Sequence, residues 1–171
     1  MKQRLNYPAV LPQEIELLMK LEGLVEESGL PLNLIEMVKL RSSILNGCSF
    51  CVRLHTQRLR RQGEPDLRVD LVSAWREAPC FDARERATLE FTEALTLVSQ
   101  SQQIPDELYD RVHSFFSDRE MATLTLAIGM INTWNRFALA FQSDLSSIDY
   151  LLKKTAEMDE AFAESRLAAC S

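Results

Sequence analysis

Two cysteines and a histidine lie close together at the start of a predicted helix. Cys48, Cys51 and His55 form the pattern C-x-x-C-x-x-x-H directly after Asn46-Gly47, a dipeptide that signals the end of a helix. Unpaired backbone N–H groups and the helix dipole favour negative charge at a helix start, so a thiol there loses its proton more readily than in water. Lowering a thiol pKa from about 8.5 to about 7 raises the ionised fraction at pH 7 from about 3% to about half. Because the thiolate is the form that attacks peroxides and disulfides, the sequence predicts redox chemistry here.

Helical spacing brings the imidazole to the second thiol. Positions 48, 51 and 55 fall on one helix face, and Cys51 and His55 are one turn apart, so His55 can exchange a proton with Cys51. The preceding segment, residues 32–45, carries Glu36 among apolar residues. If this segment folds back antiparallel through the Asn46-Gly47 turn, we expect Glu36 to approach His55. A carboxylate there would orient the imidazole and raise its basicity.

The stretch from Glu36 to His55 resembles the core motif of the AhpD-like alkylhydroperoxidases, within the carboxymuconolactone decarboxylase superfamily. The pattern is E-x11-C-x2-C-x3-H, and the resemblance extends over about residues 10–142. It implies an all-α, oligomeric helical bundle that acts as a peroxidase or disulfide reductase. It also implies that Glu36, His55, Cys48 and Cys51 form a proton relay, with a peroxide or an oxidised protein disulfide as substrate and an external dithiol as reductant.

The residues alone leave open which cysteine is the nucleophile. The helix dipole favours Cys48, whereas the one-turn spacing to His55 favours Cys51. The resemblance assigns the attack to Cys51 and the resolving step to Cys48. One position departs from the family pattern: the founding AhpD proteins carry a second histidine directly before the second cysteine, and here that residue is Phe50. The departure implies a shorter relay.

Periodicity and punctuation predict helices throughout the chain. Helices are expected on both sides of the Asn46-Gly47 turn, and capping-box patterns at residues 82–85 and 117–120 mark the starts of two more. Residues 99–103 are predicted to form a polar connection. The helix over about residues 118–142 is apolar on nearly all sides, which predicts a buried helix.

Length and composition predict one domain. The 171 residues and the apolar content of 46% suffice for a single core, which we expect to be an AhpD-like domain over residues 1–148. Residues 149–171 are predicted to form an amphipathic helix that belongs to the same domain or to a subunit interface. Single helices carry more apolar surface than a monomer of this size would cover, and the family builds oligomers. We therefore expect a homo-oligomer, as a dimer, trimer or hexamer.

Charge and targeting patterns restrict the expected partners. The chain has 25 acidic and 19 basic residues, a net charge of −6, and no basic run long enough to follow phosphates, so no nucleic-acid partner is predicted. The short cluster of Arg58, Arg60 and Arg61 is interpreted as a solvated helix face. No signal peptide and no bilayer-spanning apolar run is present, which predicts a cytoplasmic protein without a membrane partner. No cofactor and no metal is expected.

A structural zinc site is the alternative interpretation of the cysteine pair. Cys48, Cys51 and His55 would supply three ligands, and Cys80 or His113 the fourth. However, zinc-binding C-x-x-C pairs usually lie in turns, and the sequence contains no second C-x-x-C and no H-x-x-x-H. A redox pair is therefore the preferred interpretation.

Other residues with reactive or polar groups receive structural interpretations. Cys80 and Cys170 stand alone and are predicted to be inert, and His113 is predicted to lie on the surface. Trp134 is interpreted as a core residue and Arg136 as a member of a structural ion pair.

Three function classes remain from the sequence. The first is a thiol peroxidase or disulfide reductase with a Cys48/Cys51 redox pair and a Glu36–His55 relay. The second is a decarboxylase of the carboxymuconolactone type, a lyase that does not rely on a redox cysteine pair. The third is a non-catalytic redox-sensing oligomer in which the disulfide switches a conformation.

Without the family motif, Glu36 would be interpreted as an ordinary salt-bridged helix residue.

Overall fold

The fold is that of a computed structural model, which describes residues 2–149 and residue 152. Within these residues the chain is helical and contains no strand, which confirms the all-α prediction. The α-helices in chain order are α1 (Tyr7–Val10), α2 (Pro12–Glu26), α3 (Leu32–Leu45), α4 (Ser49–Arg61), α5 (Asp66–Leu71), α6 (Ala83–Thr96), α7 (Val98–Ser101), α8 (Asp106–His113) and α9 (Asp118–Phe141). Short 3-10 segments cover Val72–Ala74 and Leu145–Ser147.

Helix α3 lies at the centre of the bundle. It contacts α4, α6 and α9, and most of its residues are buried. A helix that is surrounded in this way needs apolar side chains on most sides. The buried residues of α3 are apolar except for Ser42, Ser43 and two residues of opposite charge, Glu36 and Lys39. Because a buried charge is costly unless it is paired, the neighbouring helices must provide partners for both.

A tight turn joins α3 to α4 and delivers the cysteine pair. Asn46 caps the end of α3, and Gly47 has a φ of +69°, a left-handed conformation that glycine adopts at no steric cost. The backbone N–H of Cys48 then donates to the carbonyl of Ser43 at 3.0 Å. This bond closes the end of α3 and places Cys48 at the N-cap of α4. The two helices are therefore neighbours in contact, as the sequence predicted.

Both predicted capping boxes form, whereas one predicted connection is helical. Asp82 and Ser117 each accept a hydrogen bond from the backbone N–H three residues later, and the glutamate at that position bonds back. The polar connection predicted for residues 99–103 is wrong in part, because Val98–Ser101 form one helical turn that closes at Gln102 in the left-handed conformation. Residues 98–101 are exposed. Polar side chains indicate exposure to solvent, which a loop and a single surface turn of helix share, so polarity alone did not distinguish the two.

Two helices expose apolar side chains that the rest of the described chain leaves uncovered. Helix α9 was predicted to be buried, but Leu126 and Leu139 on its outer side are exposed. On α2, Leu17, Leu21 and Leu24 lie at i, i+4 and i+7 and are exposed by 61%, 37% and 62%. We call these three residues the α2 stripe. An apolar helix buries only the sides that a neighbour contacts, which periodicity alone cannot identify.

The predicted C-terminal helix lies mostly outside the described residues. Of residues 149–171, the structure describes Asp149 and Leu152. Arg53 binds Asp149 at 3.2 Å, and Arg61 donates to the carbonyl of Leu152 at 2.9 Å, so this part of the chain contacts α4. Among the described residues no helix combines the length and apolar character needed to cross a bilayer.

Candidate active site

The two cysteines of the motif meet at the first turn of α4. Cys48 and Cys51 are joined by a disulfide, with their Cα atoms 5.4 Å apart. The backbone N–H of Cys51 also donates to Sγ of Cys48 at 3.3 Å, so Cys48 is an N-cap residue. Both cysteines are buried. An N-cap sulfur that accepts a backbone N–H bond is stabilised as an anion when the pair is reduced.

Apolar residues of α9 and α4 cover the cysteine pair. Ile131 and Ala138 are buried against the two sulfur-bearing residues, and Phe50 and Trp134 pack there while remaining partly exposed. Phe50, which stands where the founding AhpD proteins carry a histidine, thus contributes an aromatic wall and no polar group. These two aromatic side chains are the partly exposed members of the cover over the cysteine pair.

His55 and Glu36 form the predicted pair. His55 lies one turn after Cys51 on α4, and its Nδ1 is 2.8 Å from Oε2 of Glu36 on α3. Both side chains are buried. Since an ionised carboxylate only accepts hydrogen bonds, Nδ1 carries the proton in neutral His55, and Nε2 is left as the basic nitrogen.

The second oxygen of Glu36 contacts two cations. Oε1 accepts a hydrogen bond from Nη1 of Arg58 at 3.1 Å and lies 3.6 Å from Nζ of Lys39. Burial by itself would raise the pKa of Glu36, but the electrostatic interaction and hydrogen bond with His55, together with the charges of Lys39 and Arg58, outweigh burial and lower the pKa well below its usual range. Glu36 is therefore a carboxylate throughout the neutral range, as an acceptor for the histidine must be.

Lys39 is held in turn by carboxylates of α2. Its Nζ lies 2.6 Å from Oε2 of Glu22 and 3.5 Å from Oε1 of Glu26. Burial would lower the pKa of Lys39, yet the net shift is upward because Glu36, Glu22 and Glu26 stabilise the ammonium form. Arg58 closes the group with a 3.1 Å contact to Glu26. Three helices thus share one group of alternating charges, in which Glu36 and Lys39 are buried and Glu22, Glu26 and Arg58 are partly buried.

Part of the predicted solvated arginine face is wrong. Arg58 was assigned to that face, but its side chain is mostly buried because it pairs with Glu36 and Glu26. Arg60 does lie near solvent, where it pairs with Asp66 and Asp70. The sequence signal that could have separated the two arginines is position: Arg58 lies one turn after His55, on the side of α4 that faces α3.

A second, uncharged group of side chains forms hydrogen bonds with the turn before Cys48. The amide nitrogen of Asn46 donates to Oδ1 of Asn132 at 2.9 Å and to Oδ1 of Asn135 at 2.8 Å. The amide nitrogen of Asn135 donates to Oγ of Ser43 at 3.1 Å. We call Asn46, Asn132 and Asn135 the asparagine clamp. Sequence reasoning did not identify these residues as part of the site.

The two other α9 residues that were interpreted from the sequence have different partners. Trp134 packs beside the cysteines, in agreement with the prediction, and its indole N–H also donates to Glu22 at 2.9 Å. Arg136 was predicted to form an ion pair, but it is exposed and donates to the backbone carbonyl of Asn132 at 2.6 Å. The carbonyl of Asn132 is one turn away on the same helix, whereas a carboxylate partner must be supplied by the packing of another element.

The residues proposed for a zinc site are not gathered together. Cys48 and Cys51 pair with each other, and Cys80 is a free, half-buried thiol. His113 is partly exposed and forms a hydrogen bond with Asp118 at 2.7 Å. Within the described ranges, no group of three or more His, Cys, Asp and Glu side chains could hold a metal ion. Cys170 lies outside the described residues.

The charge of Glu36 makes stability depend on pH. Replacing Glu36 with glutamine leaves Lys39 and Arg58 short of a buried partner, which we expect to lower the free energy of unfolding at pH 7 by about 3–5 kcal/mol. Because the pKa of Glu36 is lower in the folded chain, its contribution is complete above the unfolded pKa of about 4.3 and is lost as the pH falls toward the folded pKa. Denaturant unfolding of wild type and Glu36→Gln should therefore show a difference that narrows by about 1.4 kcal/mol per pH unit below that value.

Glu16→Gln is the matched control for this measurement. Glu16 is exposed and pairs with the exposed Lys20, so its replacement should change stability little at either pH. A stability difference between wild type and Glu36→Gln that stays constant from pH 7 to pH 3 would contradict the assigned charge state of Glu36.

Comparison with known proteins agrees with this fold. The model of the carboxymuconolactone decarboxylase family matches residues 12–94, which include α3, α4 and the whole cysteine motif. The uncharacterised protein YdfG of Bacillus subtilis is 35% identical over 147 residues, which span 86% of this chain and 99% of YdfG.

Solved structures share the helical arrangement. A protein of unknown function from Agrobacterium tumefaciens, provisionally described as the antioxidant defence protein AhpD, has a TM-score of 0.80 and 40% identity over 84% of this chain and 97% of its own. A peroxidase-related protein with an AhpD core from Ralstonia eutropha has a TM-score of 0.71 and 21% identity over 81% and 73% of the two chains, a likeness of fold alone. The chain therefore belongs to the carboxymuconolactone decarboxylase family and is an AhpD-like member of it.

Proposed function

We propose that the protein is a thiol-dependent alkyl hydroperoxidase or disulfide reductase. Cys48 and Cys51 are the redox pair, and Glu36 and His55 activate the attacking thiol. The observation that carries the proposal is the 2.8 Å contact between Nδ1 of His55 and Oε2 of Glu36, one helical turn from a disulfide-bonded cysteine pair. An imidazole whose Nδ1 proton is held by a carboxylate has Nε2 free to accept the proton of Cys51.

With a hydroperoxide as substrate, the reaction balances in three steps. The Cys51 thiolate attacks an oxygen of ROOH, an S–O bond forms, the O–O bond breaks, and the alkoxide takes a proton from the His55 imidazolium to leave as ROH. The Cys48 thiol then attacks the resulting sulfenic acid, an S–S bond forms and water leaves. An external dithiol reduces the disulfide and is itself oxidised to a disulfide. The reducing cytoplasm supplies such dithiols and is the location that we propose.

The two cysteines suit different roles. Cys51 is the residue one turn from His55, which favours it as the nucleophile. Sγ of Cys48 accepts the backbone N–H of Cys51 at the helix start, which lowers the free energy of its thiolate. A stabilised thiolate is the better leaving group when a reductant attacks a disulfide. The reductant is therefore expected to attack Cys51 and to release Cys48.

Burial of the pair favours a small, apolar reactant. Both cysteines are buried, and the aromatic side chains of Phe50 and Trp134 pack against them. A small organic hydroperoxide can reach a covered pair of this kind with less rearrangement than the disulfide of a folded protein. This supports peroxide reduction over protein-disulfide reduction as the main activity.

Both site cysteines should be required for peroxide turnover. We expect wild-type protein to consume cumene hydroperoxide in the presence of dithiothreitol, and Cys51→Ser and Cys48→Ser to lose that dithiol-dependent consumption. Cys80→Ser is the matched control, since Cys80 is a free thiol outside the site. Stoichiometric oxidation of the pair without turnover would favour a redox sensor. A lyase activity that survives both serine substitutions would favour the decarboxylase class.

The relay residues should act as one unit. If Glu36 orients His55 and His55 takes the thiol proton, then Glu36→Gln and His55→Ala each move the pH dependence of thiol alkylation to higher pH, by about one unit for a tenfold slower reaction at neutral pH. The double variant should resemble the worse single variant, because members of a relay fail together. His113→Ala, at the other histidine of the chain, should leave the curve in place. Unshifted curves in both single variants would leave the helix start as the activator of the thiol.

We also propose that the protein is a homo-oligomer. The α2 stripe exposes Leu17, Leu21 and Leu24 on one helix face, and contiguous exposed apolar surface of this kind marks an interaction site. Light scattering at micromolar concentration should show at least a dimer, and Leu21→Glu should shift it toward the monomer. Leu67→Glu, at an exposed leucine of α5, is the control. A wild-type protein that is strictly monomeric would contradict the proposal.

A further inference from the structure

The asparagine clamp joins α9 to the turn that carries Cys48, and neither the thiols nor the relay uses it. The side chain of Asn46 has one amide nitrogen with two hydrogens, and it donates one to Asn132 and one to Asn135. Asn135 has no exposed surface, and Asn132 is nearly buried. If the turn moved, Oδ1 of Asn135 would lose its bond from Asn46, and Oδ1 of Asn132 would be left with its longer, 3.4 Å bond from Arg136. Displacement of Asn46 is therefore costly.

The clamp connects the turn to α9, whereas backbone hydrogen bonds connect it to α3. On the α3 side, the backbone N–H groups of Asn46, Gly47 and Cys48 all bond carbonyls of the last turn of α3. On the α9 side, the contacts come from side chains, through Asn46 and through the bond from Asn135 to Ser43. The turn is therefore held between two helices rather than being an extension of one.

Helix α9 also covers the sulfur-bearing residues themselves. Ile131 and Ala138 pack on Cys48 and Cys51, and Asn132 and Asn135 lie between them along the same helix. One stretch of α9 thus fixes both the cysteine pair and the residue two positions before Cys48. A shift of the turn relative to α9 would change the distance between the two thiols.

This arrangement matters most when the cysteines are reduced. In the oxidised protein the disulfide holds Cys48 to Cys51 directly. In the reduced protein, Cys48 keeps its place at the start of α4 through the turn and its N-cap contact. The equilibrium between dithiol and disulfide depends on the effective concentration of one thiol at the other, which falls when a connecting segment gains freedom.

We propose that Asn46, Asn132 and Asn135 are positioning residues that hold Cys48 within reach of Cys51 in the reduced enzyme. They thereby favour disulfide formation and fast resolution of the Cys51 sulfenic acid. The inference deepens the proposed function, on which its catalytic meaning rests. The equilibrium P(S–S) + dithiothreitol(SH)2 ⇌ P(SH)2 + oxidised dithiothreitol tests it without turnover, since two electrons and two protons pass from reagent to protein.

The decisive variants change Asn46. Asn46→Asp keeps the shape but replaces the shared donor by an acceptor that faces two amide oxygens, and Asn46→Ala removes the donor without adding charge. In both, we expect the equilibrium constant for reduction by dithiothreitol to rise about tenfold, which corresponds to about 30 mV for this two-electron couple. Circular dichroism establishes that each variant is folded.

A matched control lies in the same buried network but away from the turn. Thr96 accepts a hydrogen bond from Asn132 and shares one with Ser42, and it makes neither with Asn46. Thr96→Val therefore loosens the network without releasing the turn. We expect its reduction equilibrium to stay within about twofold of wild type, below the tenfold step that 1.4 kcal/mol represents.

Mass spectrometry after a peroxide pulse gives a second readout. If Cys48 is displaced, the sulfenic acid of Cys51 persists long enough to be oxidised further to the sulfinic acid. We expect this product in the Asn46 variants and the Cys48–Cys51 disulfide in wild type and Thr96→Val. A structural role alone would lower thermal stability without producing this difference.

Three results would overturn the inference. The first is that Asn46→Asp and Asn46→Ala fold and their equilibrium constants for reduction match wild type within about twofold. The second is that Thr96→Val shifts this constant as much as the Asn46 variants do. The third is that neither Asn46 variant folds, which would assign the clamp to stability. The proposed function fails separately: wild-type protein would then lack peroxide turnover, while the dithiothreitol equilibrium would still be measurable. The two failures are therefore distinguishable.

Discussion

A single buried carboxylate, Glu36, requires charged and hydrogen-bonding partners from the helices around it. Its charge lies in the central helix of the bundle, where leaving it unpaired would cost several kcal/mol. His55 and Arg58 of α4 and Lys39 of α3 supply the compensating groups. Lys39 then requires carboxylates of its own, which α2 supplies from Glu22 and neighbouring Glu26. The contacts of α3 with α4 and with α2 therefore include the ion pairs and hydrogen bonds that this charge requires.

The same charge connects stability with chemistry. The two oxygens of Glu36 have different partners: Oε1 meets the cations, and Oε2 meets Nδ1 of His55. The cations keep Glu36 ionised and leave it an acceptor, so the imidazole has one proton position defined by the core. The contacts that compensate the buried charge of Glu36 also leave the basic nitrogen of His55 one turn from Cys51. The same contacts therefore stabilise the fold and fix the orientation of the imidazole.

Helix α2 links the site to the surface of the protomer. Its inner side carries Glu22, which bonds both Lys39 and the indole of Trp134 beside the cysteines. Its outer side carries the α2 stripe of exposed leucines. A neighbour that covers the outer side would also restrain the inner side, because a helix moves as a rigid element. In the proposed oligomer, assembly and the environment of the redox pair would share this helix.

Features that depend on residues close together in the chain could be predicted from the sequence. The capping boxes at Asp82 and Ser117, the glycine turn and the one-turn spacing of Cys51 and His55 are local, and local geometry has few solutions. The meeting of Glu36 with His55 also followed, since a tight turn between two helices leaves one way to pair them. Two features follow from helix packing and could not be predicted: Arg58 is mostly withdrawn from solvent, and Asn46 is held by side chains 86 and 89 residues away. A buried charge or amide in a helix requires a partner, and this requirement can be predicted from the sequence. Which distant group becomes the partner depends on how the helices pack.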